Sequence, residues 1–429
     1  MKKRRKAFRL LTARGLFIAR SLIFTACKGD EQKQDVPGVP GERGGGLTLM
    51  APESYSYTDF ATYSLQNGYD SSANLIVTDY SGRATIYLSS DLSVDPQTPE
   101  STSYIPDVYG QIDIACMRDR LLIVKTSIPQ NISWFDEKAL GRLITVDFNG
   151  ANQKTAYTFS RADFVLRGPM ARGDGCVYMI LATFDEESKS YDRVELVKID
   201  LDNGEKSVIL SDLPCRNPPV IAGAVGDTIL LKYFILPDPD LFWATNTKSL
   251  TYQFCRVDIN TKEMRTVYEM PYSFGKEVWR DDRLLIVLNE EKGVFALNIE
   301  TGERDRVADL SDFAEEHSDF VIEQYIDGHL IMQAEKEDET EYFRLDMESG
   351  LISPLTLKDR DGNLPGILGV GDDEYLVISG NKIVTIYPPD PLGNGEPTQV
   401  RAPVYSMILK ADYWAGVHNF IEITDYVYG

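Results

Sequence analysis

One short pattern recurs along most of this chain: an apolar-alternating stretch that ends in Asp or Asn, a turn, and a second alternating stretch. It reads LIVTDYSGRATIYL from Leu75, LITVDFNGANQKTAYTF from Leu143 and LVKIDLDNGEKSVIL from Leu196. It returns as FCRVDINTKEMRTVYEM from Phe254, VFALNIETGERDRVADL from Val294 and YFRLDMESGLISPLTL from Tyr342. The closing residues Asp79, Asp147, Asp200, Asp258, Asn298 and Asp346 stand 40 to 68 residues apart. A degenerate seventh copy runs from Lys382 to Ala402, with Tyr387 in the closing position. Each copy predicts a β-hairpin, because its Asn, Asp and Gly turn residues tolerate the positive φ of tight turns. The period-two alternation of Val197, Ile199 and Leu201 puts one face of the strand inward.

A lone hairpin is marginal in water, so each copy must pack against neighbours. Upstream of most hairpins lies a second apolar pair, as in KEVWRDDRLLIVLN from Lys276 and VIEQYIDGHLIMQA from Val321. The unit is therefore four strands, and repetition at 40 to 60 residues is the signature of a propeller blade. The expected fold is all-β: one β-propeller over 47–429 with about seven four-stranded blades, six or eight being the alternatives. Val404–Ile423 is read as two strands with no hairpin after them, so the ring is expected to close by N- and C-terminal strands sharing one blade. Closure of that kind removes free sheet edges.

The repeated apolar-x-apolar-Asp-x-x-x-Gly turn resembles bacterial extracytoplasmic β-propellers with WD-like or YVTN-like repeats. The Gly-His and Trp-Asp signatures of true WD repeats are absent, as are the double-glycine kelch pattern and the sialidase Asp-box, so no single family is singled out. Such propeller lipoproteins serve in envelope assembly or surface recognition, and the resemblance implies a role of that kind.

The first 26 residues carry eight Lys or Arg and no acid, followed by apolar stretches and the small residue Ala26 before Cys27. That order of regions is a signal peptide's. Ile23-Phe24-Thr25-Ala26-Cys27 resembles the lipobox of bacterial lipoproteins, with Phe24 where Leu is usual and Arg14 and Arg20 interrupting the apolar run. The resemblance implies lipid attachment at Cys27 and an extracytoplasmic protein held to the membrane by its N-terminal lipid only. Residues 27–46 are rich in Gly, Pro and charge and read as a flexible tether. Without residues 1–26, 36 basic side chains face 66 acidic ones, a net charge of −30. A surface so negative repels phosphate backbones and argues against nucleic acid as a partner.

No catalytic constellation is evident. His317, His329 and His418 lack a second His or Cys at metal-ligand spacing, and no Walker loop, G-x-S-x-G elbow or H-E-x-x-H occurs. Asp200-Leu-Asp202-Asn-Gly204 and Asp359-Arg-Asp361-Gly-Asn363 echo the start of a calcium loop without its twelfth-position Glu. Neither a metal nor a cofactor is expected. Cys116, Cys176, Cys215 and Cys255 show no C-x-x-C spacing and read as buried thiols, although pairing is not readable from sequence.

The connections between second and third strands carry the functional signal. They share one end of a propeller with the connections between blades. They are expected to be short at 289–293 and 379–382 and long at 127–141, 184–192 and 235–250. Two of the long ones hold adjacent aromatics, Trp134-Phe135 and Phe242-Trp243, which rigidly held loops use for recognition. The expected function is binding or scaffolding of a protein, peptide or glycan, with oligomeric state open. The alternative is a glycan-active hydrolase or lyase with acidic residues at the central channel, signalled by convergent carboxylates or His there.

Overall fold

The computed structural model describes residues 46–427, apart from 68–70, 92, 127–138, 167, 186, 188–189, 236–250, 272–276, 281–282, 289–290, 318–319, 337–338 and 387–396. Residues 1–45, which hold the expected signal peptide, Cys27 and all but the last residue of the expected tether, therefore lie outside the described residues.

The fold is all-β and propeller-like. Consecutive antiparallel strands form four-stranded runs in sequence order, with the short strands Tyr104–Ile105 and Asp163–Val165 added to Ala73–Asp79 and Cys176–Asp185. The first run is Tyr55–Tyr57, Ala61–Asn67, Ala73–Asp79 and Ala84–Tyr87, and the second is Ile112–Cys116, Leu121–Lys125, Arg142–Val146 and Lys154–Thr158. The third is Met170–Gly173, Cys176–Asp185, Ser190–Asp200 and Lys206–Leu210, and the fourth is Val220–Gly226, Thr228–Ile235, Thr251–Asp258 and Met264–Pro271. The fifth spans Val278 to Asp309, the sixth Phe320 to Pro354 and the seventh Ile367 to Glu422. Residues Leu47–Met50 form a separate strand between the first strands of the third and fourth runs; with Asp163–Val165 on Cys176–Asp185, it joins those runs into one ten-stranded sheet.

Each pair of consecutive runs shares its own apolar core. Ile114 and Ile123 meet Leu75 between the first and second runs, and Leu284 and Ile286 meet Leu230 and Phe254 between the fourth and fifth. The first and seventh runs also share one, formed by Tyr80 with Leu376, Met407 and Ile423. Burial on two sides corrects the expectation of one inward face: Leu284, Leu285, Ile286 and Val287 are all buried. A strand sandwiched between two sheets needs apolar side chains on both faces, which turns alternation into a continuous run.

The marker residues stand at the end of the third strand in the first six runs, Asp147 one residue past it, and most of them organise the turn that follows with their side chains. The Asp258 carboxylate accepts hydrogen bonds from the amides of Asn260 (2.9 Å) and Thr261 (2.9 Å), and Asn298 does the same for Glu300 and Thr301. Asp200 holds Asp202 and Asn203, and Asp346 holds Glu348 and Ser349. These are Asx turns, the reason a short acceptor is needed at that position. The next apolar residue tucks back: the amides of Leu201, Ile259 and Met347 donate to the carbonyls of Gly175, Asp227 and Gly328. Those carbonyls belong to the turns between first and second strands, so both kinds of turn crowd one end of the runs.

The expected start and finish of the ring are corrected in two places. Residues 47–65 supply two strands of a complete first run as well as the separate strand 47–50. The stretch from Lys382 is not a third-to-fourth hairpin; Glu374–Ile386 and Thr398–Leu409 are the second and third strands of the seventh run. Residues 387–396, with Tyr387, therefore connect second to third, and 379–382 lies within a strand that carries a bulge. The C-terminal strand Thr424–Asp425 adds in parallel to Ala84–Tyr87, as an extra strand on a run that is already four-stranded.

Candidate functional site

Antiparallel geometry fixes where the connections emerge. Among the described residues the Asx turns of the third to sixth runs lie at one end with the first-to-second turns. The helix Lys410–Ala415 takes that place in the seventh, so second-to-third connections leave from the other end. The strands flanking them end at Lys125 and resume at Arg142, end at Ile235 and resume at Thr251, and end at Ile386 and resume at Thr398. Trp134, Phe135, Phe242 and Trp243 lie between those ends and outside the described residues. The stretch 184–192 differs from expectation: register continues to Asp185 opposite Ser190, so it is a projecting hairpin. Phe184 and Tyr191 pack edge to face across it, with ring centroids 6.3 Å apart, a pairing that stiffens such extensions.

Beside one of these connections lies a cleft of about 610 Å³ between the outer parts of the third and fourth runs. One wall is the turn that follows Leu210, with Leu213 and Pro214; the other is Tyr233, Ile235, Cys255 and Met264. Tyr233 lies across it, its hydroxyl donating to Met264 Sδ at 3.2 Å, while burial pushes its phenol up. Phe234 (39 %), Ile235 (38 %) and Met264 (47 %) leave large apolar surface exposed. Such a cleft can take an apolar side chain or ring. Its polar lining includes Ser211, Asp212, Gln253 and Thr266. Sequence reasoning passed it over because the space arises from the spacing of two runs; the proline-rich stretch 213–219 at its rim was the available signal.

At the Asx-turn end, polar groups of the sixth and seventh runs converge. The Tyr375 hydroxyl donates to Asp327 Oδ2 at 2.7 Å, Lys410 Nζ lies 2.9 Å from the same oxygen, and Trp414 Nε1 donates to the Tyr375 hydroxyl at 3.1 Å. His329 stacks edge-on against Trp414, its Nδ1 3.4 Å from Asp346 Oδ2. Burial, then the nearby Arg344 guanidinium, holds His329 below its ordinary value. Burial, followed by the bond to Asp327, pushes Tyr375 up. These pairings seat the short helix Lys410–Ala415 against its neighbours. The other histidines lie elsewhere: His317 is buried against Phe313 and Phe343, and His418 is exposed beside Phe420. The calcium-like carboxylates serve the turns: Asp359 accepts from the amides of Asp361 and Asn363, and Asp361 pairs with Arg401.

Among the described residues all four cysteines are thiols. Cys116, Cys176 and Cys255 are buried and Cys215 half-buried. Burial pushes the Cys116 thiol up to about 11, which removes it as a nucleophile at neutral pH. No helix of the described residues is long and apolar enough to cross a membrane.

No protein-family model matches this chain, and no curated protein matches it in sequence. Among solved structures it is similar to an oligogalacturonate lyase from Vibrio parahaemolyticus, at 12 % identity over 84 % of this chain and 92 % of that one, with a TM-score of 0.43. It is also similar to an acylaminoacyl peptidase from Pyrococcus horikoshii, at 11 % identity over 88 % and 52 %, with a TM-score of 0.46. A third is TolB from Acinetobacter baumannii, at 11 % identity over 81 % and 76 %, with a TM-score of 0.35.

Proposed function

We propose that the seven four-stranded runs are the blades of one closed ring, and that this ring is an extracytoplasmic binding protein. It is held to the membrane by lipid on Cys27 and recognises a protein, peptide or glycan through the end that carries the second-to-third connections. The observation that carries the reading is the one-sided distribution of those connections. The long ones leave the second, fourth and seventh runs at the end opposite the Asx turns, beside the projecting hairpin of the third. Two of them contain Trp134-Phe135 and Phe242-Trp243, and the apolar cleft at Phe234, Ile235 and Met264 adjoins the second. Rigid scaffolds present aromatic anchors in this way because little entropy is lost on binding. Closure is supported by the core that the first and seventh runs share. His329 stands beside Asp346 and near Asp327, but Asp346 holds the amides of its own turn and Asp327 pairs with Tyr375 and Lys410, so those carboxylates serve the fold and the binding reading rests on the opposite end.

The test uses the full chain as bait against membrane extract, followed by a glycan array. The expected result is a ligand that the wild type retains and the Trp134→Ala, Trp243→Ala double variant loses, with an unchanged melting curve. Recovery of no ligand in either format, or loss of the fold in the double variant, overturns the reading.

A further inference from the structure

The strand Leu47–Met50 belongs to no four-stranded run, yet it is hydrogen-bonded on both sides. Thr48, Leu49 and Met50 register with Arg172, Ala171 and Met170 of the third run, and Leu47 and Thr48 with Gly226 and Val225 of the fourth. Its side chains divide by alternation. Leu47 and Leu49 enter the core between the third and fourth runs, while Met50 enters the core between the second and third. Leu47 is 5 % exposed and Met50 7 %.

Thr48 meets a charged group. Its Oγ1 accepts from Nε of the buried Arg172 at 2.7 Å, and Arg172 Nη1 donates to the Cys116 carbonyl at 2.6 Å. The approach is backbone-close: a Cβ on Gly46 would stand 2.7 Å from Gly226 Cα, and one on Gly173 would stand 3.2 Å from Leu47 Cδ2. Glycines 44 to 46 precede the strand in the sequence, and Leu47 is the first side chain that anchors it.

We infer that the slot between the first strands of the third and fourth runs is a binding site for an extended peptide, occupied here by the chain's own residues 47–50. The strand is a short element spliced between two edges that need no contribution from it to form their own runs. Withdrawing it leaves two facing strand edges and two apolar subsites, which is what strand addition requires of a receptor. The slot selects an apolar residue, then a hydroxyl or carboxylate acceptor for Arg172, then two apolar residues. The resident strand competes at the high effective concentration of a tethered segment, on the order of millimolar. A free peptide therefore binds only once the resident strand has left. This site is independent of the recognition end proposed above.

The probe is a fluorescein-labelled peptide of residues 46–52, GLTLMAP, added to the full chain. A Leu47→Asp, Met50→Asp double variant places two charges in apolar subsites and expels the resident strand. The expected result is binding to this variant at least tenfold tighter than to wild type, and at least tenfold weaker binding of a peptide with Val in place of the Thr. A folded variant that binds the probe no better than wild type overturns the proposal. Hydrogen exchange on the wild type decides the question if the variant fails to fold. Amides of 47–50 exchanging at least tenfold faster than those of Ile229–Leu231 support an exchangeable strand, and equal protection overturns it.

Discussion

Where two runs lie face to face, single glycines set how closely they approach. A Cβ on Gly223 would stand 2.1 Å from the Trp279 ring, and one on Gly369 would stand 2.0 Å from the Tyr80 hydroxyl and 2.4 Å from Thr62 Oγ1. The second contact falls on a buried bond, since the Thr62 and Tyr80 hydroxyls lie 2.7 Å apart. Neither glycine needs a positive φ, so the requirement is space. Gly223→Ala is expected to cost about 1–3 kcal/mol by overpacking. Gly366→Ala, where a Cβ meets nothing within 4 Å, is expected to stay within about 0.5 kcal/mol. Urea unfolding of both variants checks the contrast; equal losses would mean that the ring of Trp279 moves aside freely.

The recurring element is the hairpin with its Asx turn, and its chemistry predicts a pH response. Asp200, Asp258 and Asp346 are held below the ordinary carboxylate range, chiefly by the backbone amides of their own turns. A depressed native value stabilises the fold above the unfolded carboxylate range. That contribution is lost as pH falls through the depressed values. Urea midpoints measured from pH 7 down to pH 3 are expected to fall. Asp258→Asn should keep the turn and lose its share of this slope, because Asn298 already performs the same task in the fifth run. Asp258→Ala should lower the midpoint at every pH. The hairpins were legible in the sequence because closing residue, turn and alternating strands are all local, while the acceptor role of the closing Asp or Asn was not read from it. The assignment failed where the partner is distant. The Gly- and Pro-rich sequence 387–396 reads the same whether it joins second to third strand or third to fourth. The alternation of Leu47–Met50 likewise does not say which edges it will join. The cleft at Tyr233 and Met264 left no pattern, because it depends on the gap between two runs.

At the scale of the whole molecule, the first and last runs are fastened to one another by several independent means. Thr424–Asp425 pairs in parallel with Ala84–Thr85, Arg83 reaches Glu374 at 3.2 Å, and Val427 is buried with Ile76 and Tyr87. Ending the chain at Glu422 removes Ile423 and Val427, two buried apolar side chains worth roughly 3–6 kcal/mol together. That truncation is expected to lower the melting temperature by more than any single surface substitution; an unchanged melt would mean that the shared core of Tyr80, Leu376 and Met407 holds the two runs without help. The strand at Leu47 has a mechanical consequence. It meets Gly226 at the Asx-turn end and runs away from that end between two ladders. Force applied ahead of residue 46 therefore loads both ladders in shear along their length and does not peel one edge. Whatever grips that segment turns the Asx-turn end toward itself and leaves the end with the long connections as the far pole of the molecule.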